Sequence, residues 1–246
     1  MSIRKYHHLG KRFANDTYHQ QAKVLDEKEV NKTPLRSEVI NFLLQYLNRE
    51  TTYLEIGVRN PADNFDKIKS DTKYSVDPGI EFKENPVDFK LTSDAFFDQL
   101  RNGKVLNQEV RFDVIFIDGL HLAEQVDRDI ANSLEFIKED GFIVLHDCNP
   151  PTQWHAREEH NYRLSPAGSN WNGTTWKAFV KWRKNESIFS CCIDTDWGVG
   201  ILSKEHKVGD SNTIDNEFYD FNVFEKNRSE SLNLTSFEQL KKSLNA

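Results

Sequence analysis

Cysteine is scarce in these 246 residues: Cys148, Cys191 and Cys192 are the whole complement. An odd number, with two adjacent, argues against the paired framework of a small secreted disulfide domain. Cys191 and Cys192 lie in an apolar, strand-like run and read as core thiols. No apolar stretch is long enough to span a bilayer, and the charged N-terminus lacks the apolar segment of a signal peptide. The chain therefore reads as cytoplasmic. Excess positive charge is also missing. The net charge of −7 argues against a nucleic-acid substrate, whose phosphates call for a basic face. What is present suffices for a core: 37% hydrophobic residues, with seventeen Phe and five Trp.

Residues 1–32 are polar with little apolar periodicity and read as an N-terminal arm. Its basic stretch, Arg4-Lys5 to Lys11-Arg12, reads as solvated, with contact to phosphates or anionic glycans as the alternative. A main domain spans 33–203. Its first helix runs from Pro34 to Leu47, with Thr33 as cap and Val39, Ile40, Leu43, Leu44 and Leu47 on one face. Strands follow at 52–57, 73–77, 87–91 and 112–118, with a short helix near 65–68 and another after Ser93 or Asp94. A helix over 121–138 buries Val126, Ile130, Leu134 and Ile137. Asp140-Gly141 ends it, and 142–145 is a strand buried on both faces. Residues 148–173 are aromatic-rich and aperiodic, as in a substrate lid. A helix at 175–184 leads to two strands, 188–193 and 198–202, joined by Asp194-Thr195-Asp196. The extension 204–246 is polar and irregular until a terminal helix, Ser236–Leu244.

Alternating strands and helices predict an α/β domain with a doubly wound, mostly parallel sheet. In such sheets ligands bind beyond the carboxyl ends of the strands. Three blocks place charged residues there: Tyr53-Leu54-Glu55-Ile56-Gly57-Val58, Tyr74-Ser75-Val76-Asp77-Pro78-Gly79, and Phe112 to His121 followed by Gly141 to Asp147. Glu55, Asp77, Asp118, His121, His146 and Asp147 thus share one edge. Asp77 has the spacing of a ribose-binding acid; a turn residue before Pro78-Gly79 is the other reading. Arg59 and Pro61 stand where a dinucleotide fingerprint requires glycine. That disfavours a pyrophosphate and leaves a nucleoside such as S-adenosylmethionine. Glu55 then orients the turn, or binds the cofactor's amino-acid end, or caps the loop.

Glu55-Ile56-Gly57, Val76-Asp77-Pro78, Phe116-Ile117-Asp118-Gly119-Leu120-His121 and Val144-Leu145-His146-Asp147 resemble class I S-adenosylmethionine-dependent methyltransferases, in particular the macrocin-type sugar O-methyltransferases. The resemblance covers about residues 35–202 and departs from the family's glycine-rich loop at 59–64. It implies a seven-stranded Rossmann-like methyltransferase fold with an antiparallel terminal hairpin. It also implies cofactor contacts from Glu55, Gly57, Asp77, Ser93 and Asp118. A divalent metal, Mg or Mn, is implied on Asp118, His146 and Asp147; because an imidazole suits a softer ion than Mg²⁺, either the ion is softer or His146 is not a ligand.

His121, three residues after Asp118, is the candidate base; a histidine bonded to a loop is the other reading. Ser93 contacts adenine or caps its helix. Trp154, Tyr162 and Trp171 suit a sugar pocket or anchor the loop, and Lys177 is a further candidate substrate contact.

The expected function is O-methylation of a sugar hydroxyl, in a glycan or a glycosylated small molecule, with catalysis by His121 and Asp118. The competing readings are an inactive methyltransferase-like scaffold in glycan assembly and a nicotinamide-dependent oxidoreductase. The arm and the extension are the segments where a homo-oligomer could dock.

Overall fold

The computed structural model describes residues 3–81, 84, 86–162 and 164–245; positions 1, 2, 163 and 246 of the predicted arm, lid and extension lie outside them. The chain opens with two helices where the polar composition predicts a loose arm: α1 (Ile3–Ala14) and α2 (Thr17–Val30). Asp16 starts α2 by accepting the His19 N–H, a side-chain cap on an otherwise unpaired donor. Next comes α3 (Arg36–Tyr46), burying Val39, Ile40, Leu43 and Leu44. Thr33 is not its cap: the helix starts after Leu35, whose N–H is taken by the Glu38 carboxylate at 2.9 Å.

The main domain continues with β1 (Thr52–Ile56), β2 (Thr72–Val76), α4 (Ser93–Arg101), β3 (Phe112–Ile117), α5 (Ala123–Phe136) and β4 (Ile137–Leu145). It is completed by α6 (Thr175–Trp182), β5 (Phe189–Ile193) and β6 (Val199–Ser203). The predicted helix near 65–68 is one 3₁₀ turn, Phe65–Lys67. The predicted strand at 87–91 is reduced to one bridge, Val76 to Phe89. Thr92, not Ser93 or Asp94, caps α4. Helix α5 stops earlier than its periodicity predicts. Ile137 leaves the helix to pair with Phe112, and the register then jumps so that Phe142 pairs with Val114. Asp140-Gly141 therefore lies inside a bulged strand rather than at a helix end.

The extension is more ordered than its polarity predicts. It forms α7 (Phe221–Lys226), α8 (Arg228–Leu232), β7 (Leu234–Thr235) and α9 (Phe237–Leu244). The buried Arg183 side chain ties it to the domain, donating to the carbonyls of Asp210, Glu230 and Ser231.

Seven strands lie in the order β2-β1-β3-β4-β6-β5-β7. Only β6 is reversed, antiparallel to β4 and β5; the other neighbours are parallel. Successive residues alternate between the two faces. Ile115, Ile117, Ile143 and Leu145 meet α4, α5 and α6 through Phe96, Ile130 and Phe179. Val114, Phe116, Phe142 and Val144 meet α3 and α9 through Ile40, Leu43, Leu240 and Leu244. Helical layers on both faces leave the strand ends as the accessible edge of the sheet.

Candidate active site

The chain reverses its direction of travel across the sheet between β1 and β3, and the carboxyl ends of these strands touch. Asp118 N–H donates to the Ile56 carbonyl at 2.9 Å. Gly57 permits this approach: it has φ +92°, and a Cβ there would fall 2.2 Å from the Asp118 carbonyl oxygen. Such a switch point is where open α/β sheets bind ligands. A cavity of about 590 Å³ opens there, lined by Glu55, Gly57, Asp77, Ser93, Asp118 and His121, among others. Arg59 and Asn60 border it without closing it.

One wall gathers charge. The Asp118 carboxylate lies 3.3 Å from His121 Nε2 and 3.2 Å from His146 Nδ1. The Asp147 carboxylate lies 3.1 Å from His121 Nδ1 and 3.3 Å from His146 Nδ1. Asp147 has φ 60°, a left-handed conformation uncommon outside glycine, of the kind that clusters at functional sites. Asn172 donates to its carboxylate at 2.7 Å. Donor atoms of Asp118, His121 and Asp147 lie within 4.8 Å of one another. Two carboxylates and an imidazole are a donor set fit for a divalent cation.

Burial alone would raise the pKa of Asp118, but His146, His121 and Arg36 hold its carboxyl well below the usual range. Burial disfavours the charged form of both histidines, yet Asp147 and Asp118 outweigh it. They push His121 up to about 9 and His146 well above its ordinary value.

Two residues of this wall escape the sequence reading. Arg36, in the first turn of α3, places Nε 3.8 Å from Asp118 and Nη1 3.1 Å from Asp196. Asp196 precedes the reversed strand β6, so its turn reaches the same edge as the ends of the parallel strands. The Asp196 carboxylate approaches His146 Nε2 at 3.4 Å.

Glu55 lies deeper. It accepts from Tyr53 Oη at 2.6 Å and Asn64 Nδ2 at 2.9 Å, and burial pushes its carboxyl up to about 7. Asp77 lines the cavity and also closes its turn, accepting the Gly79 N–H at 2.6 Å. Ser93 lines it too, its hydroxyl accepting from Gln125 at 3.1 Å.

The lid divides. Trp171 and His160 line the cavity with their rings in contact, centroids 4.8 Å apart. Trp154 instead meets Tyr18 of α2, and Lys177 pairs with Glu158 at 3.5 Å. The loop leading into α6 fastens His121: Thr174 N–H donates to the His121 carbonyl at 2.7 Å. Gly173, with φ +61°, passes so close that a Cβ would lie 2.0 Å from that same oxygen.

Residues 62–148, roughly a third of the chain, match the family described as "Methyltransferase domain". No curated protein matches the sequence. Similar solved structures include an O-methyltransferase from Bacillus cereus in complex with SAH, 13% identical over 76% of this chain and 90% of that one, TM-score 0.41. An SAH-bound methyltransferase from Podospora anserina is 11% identical over 83% and 97%, TM-score 0.45. MycE methyltransferase of the mycinamycin biosynthetic pathway, in complex with Mg, SAH and mycinamycin VI, is 13% identical over 72% and 50%, TM-score 0.40. Likeness at this level adds nothing to what the strand order already gives. The match covers the β2–β4 part of the chain, and the strand order is that of a Rossmann-like methyltransferase fold.

Proposed function

We propose that the protein transfers a methyl group from S-adenosylmethionine to a hydroxyl of a sugar, in a glycan or a glycosylated small molecule. The observation that carries this reading is the convergence of Asp118, His121 and Asp147 on one wall of the cavity that Glu55, Asp77 and Ser93 also line. Glu55, Gly57, Asp77, Ser93 and Asp118 are assigned to the cofactor. Gly57 would give it room, Asp77 would take the ribose, and Glu55 and Asp118 would meet its charged end.

His121 is assigned as the proton acceptor because it stands nearer the open cavity than His146 does. Since Asp118 and Asp147 raise its pKa to about 9, His121 acts as a base only after losing its own proton, which a cation held on those carboxylates would favour. Its ring is held on both sides, by the two carboxylates and by Trp171. Transfer is an in-line displacement, so holding the acceptor oxygen against the methyl carbon supplies much of the acceleration. Asp118 and Asp147 would hold a divalent cation, with His146 facing the same two carboxylates from the buried side. Bound there, such a cation would acidify and orient the acceptor hydroxyls. An imidazole in this set favours Mn²⁺ over Mg²⁺. Trp171 and His160 offer flat rings against which a sugar can lie. The cysteines, free and buried, suit a reducing, cytoplasmic setting.

Calorimetric titration with S-adenosylhomocysteine, with and without Mn²⁺ or Mg²⁺, tests this reading. Micromolar binding supports it and justifies a screen of sugar acceptors. Absence of binding under every condition overturns the methyltransferase reading in favour of a scaffold.

A further inference from the structure

Helix α1 is out of place in a folded chain. Every residue from Ile3 to Phe13 is exposed, so no core contact explains its helicity. An isolated helix of this length is marginal in water. Its sequence is nevertheless sharply two-sided. At 100° per residue, Ile3, Tyr6, Leu9 and Phe13 form one stripe. Arg4, Lys5, Lys11 and Arg12 lie opposite with His8, and the helix contains no acid. The stripe reaches solvent: Ile3 is 88% and Tyr6 61% exposed.

The rest of the chain does not share this character, for the whole protein carries −7. Basic charge on one face and Tyr, Phe, Leu and Ile on the other is the pattern of a helix that lies in a bilayer interface. We propose that α1 docks this protein on an anionic lipid surface, apolar stripe down, with its four basic residues among the headgroups. A second copy is the weaker occupant, because its α1 would bring the same sign of charge. An anionic headgroup layer complements α1 and repels the acidic remainder, which leaves α1 as the point of attachment. No helix among the described residues is long and apolar enough to cross a membrane, so the attachment is peripheral. This inference is independent of the methyl-transfer reading.

The test is co-sedimentation of the full chain with vesicles of phosphatidylcholine alone, or with about one-third phosphatidylserine, at low salt. Binding is expected to the anionic vesicles only, and to weaken as salt screens the charge. Lys11→Ser with Arg12→Ser should lower the partition coefficient roughly twenty-five-fold, at about fivefold per charge, and Leu9→Asp should abolish binding. None of these changes touches the core, so the thermal melt should not move, which separates lost docking from lost folding. No binding to anionic vesicles, or binding that Leu9→Asp leaves intact, overturns the proposal. So does a dimer in analytical ultracentrifugation that Leu9→Asp dissociates while vesicle binding is absent; the stripe would then belong to a second copy.

Discussion

His121 lies almost flat against Trp171: the ring planes are 20° apart, the centroids 5.2 Å apart, and His121 Nδ1 is 3.2 Å from the Trp171 carbonyl oxygen. The loop that carries Trp171 therefore sets the orientation of the His121 imidazole. If His121 accepts the acceptor's proton, His121→Ala should lower turnover by roughly 10²–10⁴-fold with S-adenosylhomocysteine affinity unchanged. Trp171→Ala should lower turnover less, and Trp171→Phe should keep most of the activity because the flat contact survives. Equal loss of cofactor affinity in His121→Ala would refute the assignment.

The two histidines can be told apart by metal binding. Both face Asp118 and Asp147, but only one is assigned as a ligand. Mn²⁺ titration followed by electron paramagnetic resonance should show Asp147→Asn and His146→Leu with weakened binding and His121→Ala with nearly wild-type binding. Loss of Mn²⁺ in His121→Ala would make that ring the ligand, as the compact cluster of Asp118, His121 and Asp147 also permits.

Glu55 is expected to link pH to stability and, if it contacts the cofactor as proposed, to cofactor binding. Burial raises its carboxyl from an ordinary value of 4.5 to about 7. The folded state then holds a proton that the unfolded chain has already released between these two values. Stability should fall as pH rises through that window, by roughly 3 kcal/mol, and level off above it. Glu55→Gln should flatten that slope in urea melts recorded at several pH values. A cationic ligand beside Glu55 would favour the carboxylate, so S-adenosylmethionine should expel protons on binding near pH 6. Calorimetry in buffers of different ionisation enthalpy would detect them, and Glu55→Gln should abolish that release.

Much of this site is legible in the sequence because it sits at strand ends. The apolar runs before Asp118 and His146 can only be buried strands, and a parallel sheet collects their carboxyl ends at one edge. Arg36 and Asp196 are not legible in the same way. Arg36 belongs to the first turn of a helix that precedes the sheet, and Asp196 reaches the edge only because β6 runs backwards. Asn64 and Asn172 are loop amides whose work, holding Glu55 and Asp147, depends on the path of the chain. The end of α5 misleads for another reason. Ile137 continues the helical spacing of Val126, Ile130 and Leu134, yet pairing with Phe112 outweighs it. Helix α1 is different: the helical spacing of Ile3, Tyr6, Leu9 and Phe13 is in the sequence, but it is set among basic residues and marks no core face, since none of the residues from Ile3 to Phe13 is buried.

Asp113 anchors the opposite end of β3. Fully buried, it accepts from Arg49 Nε at 2.8 Å, Thr52 N–H at 2.8 Å and Lys138 Nζ at 2.7 Å. Asp113→Ala strands the Thr52 N–H, while Arg49 and Lys138, each about a third exposed, can turn to water. The expected cost is therefore roughly 1–3 kcal/mol. Lys138→Met should cost less, because Arg49 still pairs with the carboxylate. Urea denaturation would rank the two, and a larger loss for Lys138→Met would contradict this account.

His155 joins four parts of the molecule and has no exposed surface. Its Nε2 meets Asp26 of α2 at 2.6 Å, and its Nδ1 meets Thr152 at 2.9 Å. Its carbonyl accepts from Asn172 and Gly173, both at 3.1 Å, and its ring lies 5.7 Å from that of Trp197. Asn172 in turn holds Asp147, and the next residues hold His121, so one route from α2 to the site runs through this residue. Asp26→Ala removes a partner from a buried polar group, at a cost of roughly 1–3 kcal/mol. That loss should fall on the lid before the sheet, because the strands keep every hydrogen bond. Limited proteolysis should then cut within 148–173 faster than in the wild type. KM for the acceptor should rise while S-adenosylhomocysteine affinity stays the same, since Glu55, Asp77 and Ser93 do not depend on the lid. If cofactor affinity falls in step with KM, the lid and the nucleoside pocket are one cooperative unit, and the division drawn between them fails.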